Sequence, residues 1–199
     1  MKAGRFAAYT VLGGLMSIGS ARPAMAQTAA DYDHDHAMTS SRQGAPSAQQ
    51  NELVQVVRDA TARFRDPAVA NAEGYALQFG CVSGSDLGAM GMHFVNGALV
   101  GDGEVDAAHP EIVLYEPVGN GRVRLTGADY LVIAADWNAK HTSPPELMGQ
   151  LFHLFDSPNR FGLPAFYTLH VWAWKANPNG TFTNWNPDVS CDAFNPKVQ

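Results

Sequence analysis

The chain has 199 residues, a formal net charge of −6, 46% hydrophobic residues and 16% charged ones. That length and apolar content suit one domain large enough to bury its own core. An acidic balance with no cluster of Lys and Arg argues against nucleic acid as a partner, because phosphate binding relies on concentrated positive charge.

Lys2 and Arg5, the apolar stretch from Phe6 to Ile18 and the small-residue site Ala24-Met25-Ala26 read together as a secretory signal. Cleavage is expected between Ala26 and Gln27, giving residues 1–26 as signal peptide. The apolar stretch is too short to span a bilayer as a stable helix. The mature protein is therefore expected to be soluble, without a membrane partner, in a periplasm or outside the cell. Loss of Lys2, Arg5 and Arg22 with no acid would take the net charge from −6 to −9. In an oxidising compartment the two cysteines, Cys81 and Cys191, are expected to pair.

Residues 27–50 are rich in Ala, Ser, Gln, Asp and Gly and read as a flexible polar tail, followed by one domain over 51–199. His34 and His36, set among Asp31, Asp33, Asp35 and Met38, form an auxiliary metal-binding candidate within that tail. A plain solvated linker is the competing reading.

Helical spacing of Leu53, Val56, Val57, Ala60 and Phe64 predicts a helix over Asn51–Arg65. Asp66-Pro67 then restarts the helix as N-cap and first-turn proline, and Gly74 ends it. Strand patterns follow over Tyr75–Val82 and Met90–Asn96, the second with Met90, Met92 and Phe94 on one face and His93 on the other. Gly119-Asn120-Gly121 between two β-rich runs signals a hairpin joining Glu111–Pro117 to Arg122–Ala135, with a bulge or bend at Gly127. Residues 136–164 read as an irregular packed loop with a short helical turn near Glu146–Gln150. A last long strand would align Phe166, Thr168, His170, Trp172 and Trp174 on one face before a turn at Asn177–Gly180. These elements predict an α+β domain: two N-terminal helices packed on a mainly antiparallel sheet of about five strands. A curled, barrel-like sheet is the alternative.

His93, Glu116 and His170 fall on predicted strands and His153 in the packed loop. Imidazole and carboxylate groups on neighbouring strands suit a divalent transition metal such as Zn or Cu, so these four are the candidate metal ligands. Their spacing is long-range and carries no local motif. The alternative function is non-enzymatic, a small-ligand-binding or structural protein in which Phe166, Trp172 and Trp174 line a pocket or merely fill the core. Neither Gly-x-Ser-x-Gly nor a phosphate-binding glycine loop occurs.

Gly91-Met92-His93-Phe94-Val95-Asn96, Tyr115-Glu116-Pro117 and Leu169-His170-Val171-Trp172-Ala173-Trp174-Lys175, continuing to Asn186-Pro187 and Val189-Ser190-Cys191, resemble a family of small exported bacterial proteins. The resemblance covers Tyr75 to Cys191. It implies one module and an exported protein, and brings no catalytic residue.

Overall fold

A computed structural model describes residues 47–84 and 86–196. The expected signal peptide, the tail up to residue 46 and its His34 and His36 lie outside these residues. No helix among the described residues is long and apolar enough to cross a membrane.

Helix α1 spans Ala48–Thr61, three residues ahead of the expected start. A capping box explains the shift: the Ser47 hydroxyl accepts from the Gln50 amide, and the Gln50 side chain accepts from the Ser47 amide. A 3-10 turn over Ala62–Arg65 leads to α2, Pro67–Ala72, whose first turn is capped by Asp66 as the sequence indicates.

Strands β1 (Tyr75–Ser83), β2 (Ala89–Asn96), β3 (Ile112–Gly119) and β4 (Arg122–Ile133) form an antiparallel meander. Between β2 and β3 runs a one-turn helix, α3 (Gly97–Val100), and α4 (Ala134–Lys140) follows β4. The stretch expected to be an irregular loop with a helical turn instead holds a two-stranded ribbon, β5 (Glu146–Leu147) with β6 (Gln150–Leu151), then β7 (His153–Phe155). Strand β8 (Phe166–Val171) inserts between β4 and β7. The main sheet thus has six strands in the order β1-β2-β3-β4-β8-β7. It is α+β and mainly antiparallel as expected, with one strand more, and it is open rather than barrel-like.

The two faces of the sheet differ. On one, α1 packs Leu53 and Val57 against Tyr130, Val132, Leu169 and Val171. The 3-10 turn and α2 add Phe64 and Ala70 against Met92, Phe94, Val113 and Tyr115. On the other face Ile112, Leu114, Leu131 and Phe166 are covered by Phe155, Phe161 and Leu163, from β7 and the β7–β8 loop. That loop is held by Asn159, whose side-chain amide donates to the carbonyls of Asp156 and Leu163 while its oxygen accepts from the amides of Phe161 and Leu163.

Two local breaks in period alter side-chain direction. In β2 the register with β1 skips Met90, so Met90 shares the side of His93 instead of lying with Met92 and Phe94. Strand β8 stops at Val171, and the Ala173 amide turns back to the Val171 carbonyl. Trp172 therefore packs with Ala89 and Val189, whereas Trp174 goes to the helix side, its indole donating to the Thr61 hydroxyl. Cys81 and Cys191 form a disulfide, tying β1 to the C-terminal segment.

Candidate metal centre

β2 and β4 contribute His93 and Asp129 to the loop-covered face, and β8 contributes Thr168 and His170. Register places Asp129 directly opposite His170, and His93 opposite Leu114 on the same side as Ile112 and Asp129. His93, Asp129 and His170 are all buried, and each offers a ligand atom within 4.8 Å of the others. The two imidazoles meet edge to face with ring centroids 5.7 Å apart. Nδ1 of His170 lies 3.2 Å from Oδ1 of Asp129.

That approach is not oriented as a hydrogen bond. Nδ1 and Nε2 of His170 and Nδ1 of His93 find no hydrogen-bonding partner among the described residues. Buried polar atoms are nearly always satisfied, so these ring nitrogens stand out among the described residues. Asp129 itself is well held: the Thr168 hydroxyl donates to Oδ1 at 2.5 Å, two residues along β8 from His170.

Burial sets the protonation states. It lowers His93 to about 4, against the opposing effect of a hydrogen bond to the Gly91 backbone. His170 falls well below the ordinary imidazole range through burial, helped by His93 and His153. Burial pushes Asp129 up to about 7, while hydrogen bonds from Thr168 and the backbone at Leu169 and Tyr130 pull it down. Both imidazoles are thus neutral near pH 7 and present lone pairs, the form in which histidine ligates a metal. A tetrahedral ion with bonds of about 2.1 Å spaces its ligand atoms roughly 3.4 Å apart, so the group must close slightly around one.

Two of the sequence-derived candidates, His93 and His170, are brought together; two are placed elsewhere. The Glu116 carboxylate is clasped by Lys175 Nζ at 2.7 and 2.8 Å, with Arg124 at 3.5 Å. His153 stands on β7 across from Thr168, near enough to influence His170 but outside the group. The third member, Asp129, did carry a signal. It is the one ionisable side chain in an otherwise apolar run from Gly127 to Ala134 apart from the phenol of Tyr130. A charge in the middle of a strand buried on both sides requires a partner.

A small cavity of about 30 Å3, partly open to solvent, borders the group. Phe166 lines it, as do Phe79, Phe155, Phe161 and Met90; Trp172 and Trp174 do not. Its polar residues are His93, Asp129, Thr168 and His170.

No family model, no curated protein and no solved structure matches this chain.

Proposed function

We propose that the protein is an exported binder of one divalent transition metal, held by His93, Asp129 and His170. The observation that carries this reading is that His93, Asp129 and His170 each bring one ligand atom within 4.8 Å of the others on a buried sheet face, where ring nitrogens of both histidines are unsatisfied. Two neutral imidazoles and one carboxylate suit Zn(II) or Fe(II), and three protein ligands leave room for a water or another small ligand. Rigid strands of one sheet hold such ligands better than loops do. The Thr168 hydroxyl on Asp129 acts as an outer support of the kind that orients metal ligands. Export is supported by the N-terminal sequence pattern together with the disulfide.

The test is elemental analysis of untagged protein, with a form lacking residues 27–46 studied in parallel so that His34 and His36 do not confuse the count. About one metal per chain is expected in both forms, with loss in His93→Ala, Asp129→Asn and His170→Ala. Wild-type protein that neither retains metal nor takes any up on titration would remove the proposal, as would unchanged content in all three variants.

A further inference from the structure

The cavity beside the metal group has two kinds of lining. Its polar residues are His93, Asp129, Thr168 and His170, and the Thr168 hydroxyl is already given to Asp129. Every other lining side chain is hydrocarbon or thioether. Phe155 and Phe166 stack with planes 4° apart and centroids at 5.2 Å, and Phe161 meets Phe166 edge-on at 6.2 Å, so these rings pack on one another. What they leave free, about 30 Å3, holds two or so water-sized bodies, since one water needs roughly 10–15 Å3.

A metal would set the charge of this space. Two neutral imidazoles add nothing to a divalent ion and the Asp129 carboxylate removes one unit, so the occupied group carries a single net positive charge. All three ligands are buried, which strengthens the field of that charge. No carboxylate besides Asp129 lines the cavity. On the covering loop the Arg160 guanidinium lies 5.9 Å from the Phe161 ring centroid and donates to the Ser83 carbonyl, which adds a cation beside the wall. Phe79 alone among the lining residues is exposed, at 48%, and it meets Phe161 edge to face at 5.5 Å. The way in from solvent passes these two rings.

We infer that the position the three protein ligands leave open on the metal takes one small, singly charged anion of at most three atoms in a row. This rests on the metal reading above, which supplies the positive charge. Charge, size and lining select the class together. One monovalent anion cancels the net charge of the occupied group, whereas a dianion such as phosphate would overshoot it. The free volume admits a short rod beside the ion and leaves no slot for a ring or a branched group. Beyond the ion an incoming ligand meets apolar walls without a free hydrogen-bond donor, which penalises anions whose outer atoms need hydration.

The experiment titrates sodium azide, acetonitrile and sodium benzoate into cobalt-loaded full chain carrying His34→Ala and His36→Ala, followed by the visible absorption of Co(II). Azide and acetonitrile are rods of equal length that differ in charge, while azide and benzoate share a charge and differ in size. Cobalt content is measured for every sample. Azide is expected to saturate the spectral change about tenfold or more tightly than either of the others, and the change should vanish with the cobalt in His93→Ala. Phe161→Ala removes a wall ring and touches no metal ligand. It is expected to keep its cobalt and to tighten benzoate about tenfold, with azide within about twofold of its former affinity. One cobalt per chain, lost in His93→Ala, with no response to azide would overturn this inference and leave the metal reading standing. Acetonitrile or benzoate binding as tightly as azide would also overturn it, and both comparisons are made with Phe161 in place. Phe161→Ala that keeps its cobalt and still excludes benzoate would overturn the size limit. A chain that takes up no cobalt would remove the metal reading and this inference with it.

Discussion

Glu111, just ahead of β3, is a buried carboxylate that the metal reading does not use. Its Oε2 accepts the Leu131 amide at 3.0 Å, but burial outweighs this and pushes the group up to about 8, with Asp129 and Asp102 adding to the rise. The consequence for stability has a definite sign. Below the ordinary carboxyl value of 4.5 both folded and unfolded chains carry the proton. Between that value and about 8 the unfolded chain loses it while the folded chain keeps it, so stability falls as pH rises, by about 1.4 kcal/mol per unit. Glu111→Gln keeps an acceptor for Leu131 and does not titrate. The stability of wild type relative to this variant is therefore expected to decline from about pH 5 to pH 8, measured by urea denaturation of chelator-treated protein. Taking the difference cancels the contributions of titrating groups that do not interact with Glu111. A flat difference would mean that Glu111 ionises freely in the folded protein. At the same scale Asp129 was discoverable as a lone acid in an apolar run, whereas its pairing with His170 was not. That depends on register between segments about forty positions apart in sequence.

Among the elements, β4 and β8 decide whether the site exists. The β3–β4 register skips Thr126, whose hydroxyl donates to the Leu114 carbonyl and whose own carbonyl accepts from the amides of Trp174 and Lys175. Next to this bulge, a Cβ on Gly127 would stand 2.1 Å from the Val171 carbonyl oxygen. The need for glycine here is close approach of the neighbouring strand, with Asp129 and His170 only a step away. Gly127→Ala is expected to destabilise the protein by about 3 kcal/mol or more and to reduce metal content, measured by denaturant midpoint and elemental analysis. A midpoint within error of wild type would mean that β8 moves aside without cost. The bend at Gly127 and the hairpin at Asn120, with φ of +54°, were both legible, because turn and bulge residues reveal themselves locally. The Trp172 and Trp174 directions were not. A strand pattern runs on in the sequence past Val171, and what stops it is the capture of the Trp172 amide by the Thr181 carbonyl and of the Trp174 amide by Thr126.

At the level of the whole molecule, the C-terminal segment is fastened to the sheet without being a strand of it. Asn186 is fully buried and bridges to Ala89, its side-chain amide reaching the Ala176 carbonyl. The Cys81–Cys191 disulfide closes a span of 110 residues around nearly the entire sheet. A loop of that size is expected to contribute about 4–5 kcal/mol by restricting the unfolded chain. The double variant Cys81→Ser with Cys191→Ser should lose stability of that order in a denaturant titration, and reductant should then have no further effect. Equal stability of the two proteins would show that burial and the asparagine network hold the segment unaided.

Signals that act over a few residues were enough to determine the α+β class, the antiparallel hairpin, the Asp66 cap and the candidacy of His93 and His170, while the pairing of Cys81 with Cys191 followed from the count of two cysteines. Caps, turn glycines and alternation are each decided by a residue's immediate neighbours. Tertiary structure alone decided that Asp129 rather than Glu116 joins the histidines, that Met90 turns toward the pocket, and that Phe79 stands at its mouth. All three depend on register and bulges. Because side chains alternate with a period of two, a skip of one residue moves a group to the opposite face, and the contacts that set the skip come from strands far away in the chain.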